Sequence, residues 1–197
     1  MSNAFTRDAN ARVSSIRGGS VIGGKYDPSG LTANTWYRLM PSGNNAQKVA
    51  ATVADFDRQL NLGTLRSDIS NASLIGWRLK ILNTGYQQSH VIFEHTGGVV
   101  RLESPIRHFA GLGSTGIEYV IYPEVLNPLV VYCAGANTVE FGRSEDEAYS
   151  LSKVDAIGDV DPGKMLVFPY AALDKLCFRY ATVGSTDRLS WGEHYIA

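Results

Sequence analysis

The clearest pattern along the chain is an alternation of apolar and polar positions over short stretches. From Ile75 to Ile81 every odd position is apolar, which predicts a half-buried strand with Trp77 on its buried face. Other apolar runs of strand length lie at 36–40, 91–93, 99–102, 117–122, 129–134, 138–141, 165–168, 176–182 and 189–196. These runs are too short and too closely spaced for a helical protein.

Turn signals separate these runs. The turn 96–98 contains two glycines and joins the runs 91–93 and 99–102, which is typical of a β-hairpin. The segment 184–187 supplies a similar turn before the last run. About ten strands spaced by roughly 8–15 residues predict a mainly β fold, either an antiparallel β-sandwich or a single jelly-roll-like barrel.

Two segments favour short helices instead. One has apolar residues at helical spacing between a cap at Asn44 or Asn45 and a terminating Gly63, namely Val49, Val53, Phe56 and Leu60. The other opens with a capping-box pattern at Ser144 and ends at Gly158, although residues 149–152 also fit a strand. We therefore expect one or two short helices beside the β-structure.

The first 34 residues differ from the remainder. They carry a net charge of +2, are rich in glycine, and show no apolar period, so they cannot form a core of their own. We expect an extended N-terminal arm (1–34) followed by a β-sandwich or jelly-roll domain (35–197). Such an arm is ordered either by its own domain or by neighbouring subunits, and the second is favoured because folding on binding orders such segments. Its basic residues are the candidate assembly contacts: Arg7, Arg12, Arg17 and Lys25.

Composition narrows the class of function. The 197 residues have a net charge of -1, and only 19% are charged. This balance argues against a dedicated nucleic-acid binder, so nucleic-acid contact is expected to be weak or absent. Neither an apolar run long enough to span a membrane nor a signal peptide is expected. Low surface charge removes a usual barrier to association, and much of the surface is therefore predicted to contact partners.

Cysteine, histidine and glycine patterns give no catalytic signature. Cys133 and Cys177 lie in apolar runs and are interpreted as inert core thiols, with a disulfide between them left open. Segment 111–116 matches G-x-G-x-x-G but runs into a strand rather than a helix, which argues against a dinucleotide. A metal site built from His90, Glu94 and His108 would need a fold-back that no pattern supports, and capping or solvated histidines are favoured. We therefore expect no cofactor, no metal and no enzymatic activity.

One acidic cluster stands out, formed by Asp155, Asp159 and Asp161. It lacks the alternating ligands and the closing Glu of a calcium loop. A solvated acidic loop is the simplest interpretation. A second is a contact loop that receives arginines of the arm from another subunit, because Arg–carboxylate pairs are directional.

An extended arm, a β-domain with few charges and no catalytic motif together favour self-assembly. At the level of architecture this design resembles viral and bacteriophage virion proteins. The leading hypothesis is a virion structural protein, either a capsid shell subunit or a decoration (cement) protein, with a bacteriophage as the favoured source. It would be made in the host cytoplasm and would contact copies of itself and other virion proteins. The alternative is a carbohydrate- or small-ligand-binding β-sandwich module, and the third hypothesis is a small β-barrel hydrolase.

Overall fold

A computed structural model describes residues 23–49, 58–63, 74–107, 116–123, 128–169 and 172–193. Within these residues all strand pairs are antiparallel, and the helical structure is a single 3-10 turn, Pro28–Gly30. The strands are β1 Gly23–Tyr26, β2 Tyr37–Arg38, β3 Ser42–Lys48, β4 Gln59–Asn61, β5 Trp77–Ile81, β6 Ser89–Thr96, β7 Val99–Leu102, β8 Ile117–Pro123, β9 Leu129–Ala134, β10 Val139–Ser144, β11 Val154–Val160, β12 Met165–Phe168, β13 Leu176–Tyr180 and β14 Arg188–Glu193. The predicted mainly β fold class is confirmed.

The strands form a sandwich and a barrel. The first sheet has the order β1-β14-β9-β12, and the second has the order β11-β10-β13-β2. Tyr26 packs on Phe178 with ring centroids 4.7 Å apart, and Phe141 packs on Phe168 at 5.4 Å, so the two sheets face each other. Strands β3-β4-β7-β6-β5-β8 close into a separate barrel. The described residues therefore contain the expected antiparallel sandwich and, beside it, a closed six-stranded barrel.

A single hydrophobic cluster runs through the barrel and the sandwich. Trp77 of β5 is 3% exposed, as the alternation predicts, and its ring lies 6.3 Å from that of Trp191 on β14. Ile75 was expected on the same buried face, but it is 57% exposed because the strand begins only at Trp77 and Ile75 lies in the preceding turn. The predicted hairpin is present, with Thr96 paired to Val99 across the two-residue turn.

Charged side chains also connect the barrel to the second sheet. Lys80 of β5 donates to Asp174 at 2.7 Å and lies 3.4 Å from Glu147. Lys175 donates to Glu147 at 2.8 Å, and this bond is the main reason why the pKa of Glu147 is lowered. Arg38 is buried beside them and donates to the carbonyl oxygens of Asp174 and Ala148. These contacts fix the barrel against the loop that follows β10.

Neither predicted helix has its expected ends. Asn44 and Asn45 lie in β3, and Leu60 lies in β4; residues 50–57 are outside the described part. The expected ends belong to strands because β3 and β4 pair with each other to help close the barrel, and the helix stays a prediction only for 50–57. Asn45 has a φ of 61° in an irregular part of the β3–β8 ladder rather than acting as a cap.

The second helix prediction, over 144–158, is wrong. Ser144 ends β10, and its hydroxyl donates to the carbonyl oxygen of Asp146 at 3.1 Å. The Asp146 carboxylate accepts bonds from the backbone N–H groups of Ser152 and Lys153, both at 2.7 Å, which closes a loop. The chain then enters β11, so the capping-box residues organise a turn between two paired strands.

Part of the predicted arm belongs to the sandwich. Strand β1, which contains Lys25, pairs with β14, and the buried Tyr26 donates to the carbonyl oxygens of Arg38 and Leu39 at 3.0 and 2.5 Å. Residues 23–34 therefore contribute to the fold that was expected to begin at 35. Residues 1–22 lie outside the described part, and the arm with its three arginines stays a prediction for them. Across the described ranges, none of the helical structure has the length and apolar character of a membrane-crossing helix.

Candidate functional site

The outward side chains of the first sheet form a surface almost without charge. On β9 and β12 they are apolar: Val130 and Tyr132, and Met165 and Val167. Across the sheet, Met165 lies opposite Tyr132, Tyr132 opposite Ser190, and Ser190 opposite Lys25. We call the six outward residues Val130, Tyr132, Met165, Val167, Ser190 and Gly192 the neutral face. Its charged neighbours, Lys25 and Arg188, lie toward the far edge.

The apolar half of the neutral face lies at an uncovered sheet edge. Strand β12 is the last strand of the first sheet, contains neither a charged residue nor a proline, and pairs within the described residues only with β9. Met165 is 68% exposed and Val167 is 47% exposed. Monomeric proteins usually protect such an edge with charges, proline or a covering segment. An apolar edge that no described segment covers is a candidate contact surface.

Strand β11 is one edge of the second sheet, and among the described strands it pairs only with β10. Residues 155–159 are exposed on both faces of the strand, and Ile157, at a bulge in its pairing with β10, is 56% exposed. A turn in which Lys164 N–H donates to the Asp161 carbonyl oxygen at 3.1 Å leads from β11 into β12. Both uncovered strands therefore lie on the same side of the sandwich. Of the seven exposed large hydrophobic residues in the described part, this side holds four: Tyr132, Ile157, Met165 and Val167.

The structure places the predicted acidic residues on β11 and its following turn rather than in one loop. Asp159 lies opposite Glu140, and Asp155 lies opposite Arg143. Since Glu140 and Arg143 are three positions apart, Asp159 and Asp155 lie on opposite faces of the sheet. Asp161 accepts a bond from the Thr138 hydroxyl at 3.2 Å. Alternation alone would have put Asp155 and Asp159 on one face; the bulge at Ile157, which no sequence signal marks, separates them.

A cavity of about 280 Å³ opens beside β2. Its aromatic lining comes from Trp36, Tyr37 and Tyr149, with hydroxyls from Thr35, Ser42 and Ser150. One face of Trp36 carries the Arg179 guanidinium 4.5 Å from the ring centroid, and Arg179 pairs with Glu140. Aromatic faces flanked by hydroxyls are suited to a polar organic ligand. The lining comes from segments 35–42 and 149–151, which are more than 100 positions apart, so no sequence pattern groups these residues.

His90 and Glu94, the described members of the predicted metal site, do not form a metal site with other described residues. His90 is buried and its Nδ1 lies 2.9 Å from the Ser104 hydroxyl oxygen, while burial lowers its pKa. A bulge between Ile92 and Glu94 breaks the alternation, and Glu94 is exposed. His108 lies outside the described residues. Within the described ranges no three His, Cys, Asp or Glu side chains are placed to hold a metal ion.

The structure also places the two cysteines and the last residue of the glycine-rich segment 111–116. Both cysteines of the chain are free and buried, Cys133 on β9 and Cys177 on β13. Burial raises the pKa of both thiols, that of Cys177 to about 11, so neither is an activated nucleophile. Gly116, the last glycine of the G-x-G-x-x-G segment, directly precedes β8, whereas 111–115 lie outside the described part. The prediction that this segment leads into a strand is confirmed.

Comparison of the chain with protein-family models, with curated proteins and with solved structures finds no match.

Proposed function

We propose that this protein is a structural component of a virus particle, either a capsid shell subunit or a decoration protein, with a bacteriophage as the favoured source. It acts by self-assembly and by contact with other virion proteins. The observation that carries the proposal is the neutral face with its uncovered edge β12. A flat, nearly uncharged surface can be covered by a neighbour without desolvating charges, which is the main cost of burying polar interfaces.

The side-chain composition of the neutral face supports repeated contact between copies. Tyr132 and Met165 supply large apolar area at one edge, while Ser190 and Gly192 leave the middle of the sheet flat. Aromatic residues and methionine are enriched at the centres of protein interfaces. A net charge of only -1 means that copies do not repel each other strongly.

Light scattering of the purified full-length protein at neutral pH tests the proposal. We expect a large or multimeric species, and we expect Val167→Asp to shift it toward the monomer because a buried, unpaired carboxylate is costly. Ile75→Asp is the matched control, since Ile75 is also highly exposed but lies outside the neutral face. A monomeric wild type, or a Val167→Asp variant that assembles normally, would contradict the proposal.

The cavity beside β2 favours a second candidate, a carbohydrate- or small-ligand-binding module. Sugar rings pack on aromatic faces and exchange hydrogen bonds with hydroxyls, and Tyr37, Tyr149 and Ser150 offer both. Titration of a panel of neutral oligosaccharides, followed by tryptophan fluorescence, tests this candidate. It predicts a saturable change that Tyr149→Ala removes, in a protein that stays a monomer or dimer.

A further inference from the structure

The uncovered edge of β11 has the properties of a docking strand. Its backbone groups on the outer side are not paired with any described strand, and both of its faces are exposed over 155–159. We propose that residues 12–17 of the N-terminal arm of a neighbouring copy add to this edge as a further strand. This inference rests on the proposed self-assembly and names the segment that makes one of the contacts.

Charge complementarity favours the arm as the occupant. Asp159 lies opposite Glu140, a like charge, and Glu140 is already paired with Arg179. Within the described residues neither Asp155 nor Asp159 has a cation within 4.0 Å. Like charges directly opposite each other destabilise a sheet, so an added cation beside Asp159 would relieve a repulsion.

The arm also matches β11 in its order of residue types. Arg12 and Arg17 flank a short segment that contains Val13 and Ile16. As an extended strand this segment would present its two arginines on opposite faces, because they are five positions apart. Asp155 and Asp159 lie on opposite faces of β11 with the exposed Ile157 between them. Each face of the extended sheet would therefore gain one Arg–carboxylate pair.

The position of β1 favours the arm of a neighbouring copy, rather than the chain's own arm, as the segment that docks on β11. Strand β1 contacts β13 and the end of β2, whereas β12 faces β10, so β1 and β11 lie at opposite sides of the sandwich. A path over the surface from β1 to the outer edge of β11 crosses about three strand spacings and one sheet separation, roughly 24 Å. The six steps from Arg17 to Gly23 span at most about 20 Å. The length of this connection does not limit the reach of the arm of another copy.

Disulfide trapping tests which chain supplies the arm. Val13→Cys and Ile157→Cys are placed on separate chains, mixed before assembly and oxidised; the buried Cys133 and Cys177 leave little background. We expect a covalent species of twice the subunit mass. The matched control replaces Ile157→Cys with Ile75→Cys, which is equally exposed but lies outside β11 and the neutral face, and it should give at least tenfold less product.

Charge reversal tests the role of the four charged residues. Asp155→Arg with Asp159→Arg should reduce trapping at least fivefold, and Arg12→Asp with Arg17→Asp in the partner should restore it. Assembly by light scattering without trapping would overturn the docking inference and leave the proposed function standing. Trapping only within one chain that carries both cysteines would also overturn it, since the arm would then fold on its own domain. A wild type that does not assemble would remove both proposals.

Discussion

At the scale of single residues, Asp187 is a main determinant of the loop end of the sandwich. This buried carboxylate accepts bonds from the backbone N–H groups of Ala136, Asn137 and Gly184 and from the Asn137 amide, at 2.7 to 3.1 Å. It therefore holds the β9–β10 turn against the β13–β14 turn. Burial opposes its ionisation, but the four donors together lower its pKa.

Asp187→Ala should lower the free energy of unfolding by about 3 kcal/mol, because buried donors lose a charged acceptor. Urea unfolding at pH 7 measures this change. Since the folded-state pKa is lowered, the stabilisation is present above the unfolded value of about 3.9 and is lost as pH falls through the folded value. Wild-type stability should thus decline with acid more steeply than that of Asp187→Asn. Asp161→Ala, an exposed carboxylate with one described bond, should change stability by less than about 0.5 kcal/mol.

Trp77 provides a second residue-scale prediction. Trp77→Ala should cost about 3–5 kcal/mol, because it removes a large buried ring that contacts Trp191. Chemical denaturation followed by circular dichroism gives the value. Ile75→Ala, two positions earlier and exposed, is the control and should be nearly neutral. Equal effects of the two substitutions would show that Trp77 is not in the core.

The structural role of a residue can be predicted from the sequence only when the pattern that indicates it lies within one element. The alternation around Trp77 lies within one strand and is readable by itself. The role of Asp187 depends on Ala136 and Asn137, about 50 positions away, and no periodic pattern encodes that meeting. For the same reason the cavity cannot be predicted from the sequence: its lining residues from Thr35 to Ser42 meet Tyr149 only after the sheets have packed.

At the scale of elements, strand bounds were predictable where apolar runs are buried in the middle of a sheet. The run 129–134 coincides with β9, and even the edge strand β12 coincides with 165–168. The helix prediction over 144–158 failed because these residues carry a helical pattern but belong to strands and a loop fixed by pairing partners elsewhere in the chain. The expected ends of the other predicted helix, at Asn44, Asn45 and Leu60, lie in paired strands, and its middle (50–57) lies outside the described residues. Tertiary pairing outweighs local propensity in such short segments.

A pair of truncations separates the arm from the strand that follows it. Removal of residues 1–22 should leave the thermal midpoint nearly unchanged, since that segment has no apolar period, and should alter assembly. Removal of 1–26 also deletes β1 and Tyr26 and should lower the midpoint by roughly 10 °C, given about 2–4 °C per kcal/mol for a chain of this size. Differential scanning calorimetry distinguishes the two. Equal midpoints would mean that β1 contributes nothing to the sandwich.

At the scale of the whole molecule, contacts between subunits should depend little on long-range charge. The first 34 residues carry +2 and the remainder about -3, so no strong opposing fields exist. At 0.5 M salt the Debye length falls below about 5 Å, which weakens exposed Arg–Asp pairs but leaves apolar contacts and strand pairing intact. Assemblies should survive this salt at neutral pH when followed by light scattering. Dissociation that reverses on dilution of the salt would contradict a neutral contact surface.

The pairing of β1 with β14 also sets an order of events during synthesis. All six barrel strands lie between Ser42 and Pro123, so the barrel can close while later residues are still being made. The complete first sheet cannot form until a strand roughly 170 residues after Gly23 has emerged, about ten seconds or more at usual elongation rates. Strands β9 and β12 can pair earlier, but β1 and β14 join them only in that last step. The neutral face is therefore completed only after residue 192 has been made, which delays its contacts with other copies until after the barrel strands have emerged.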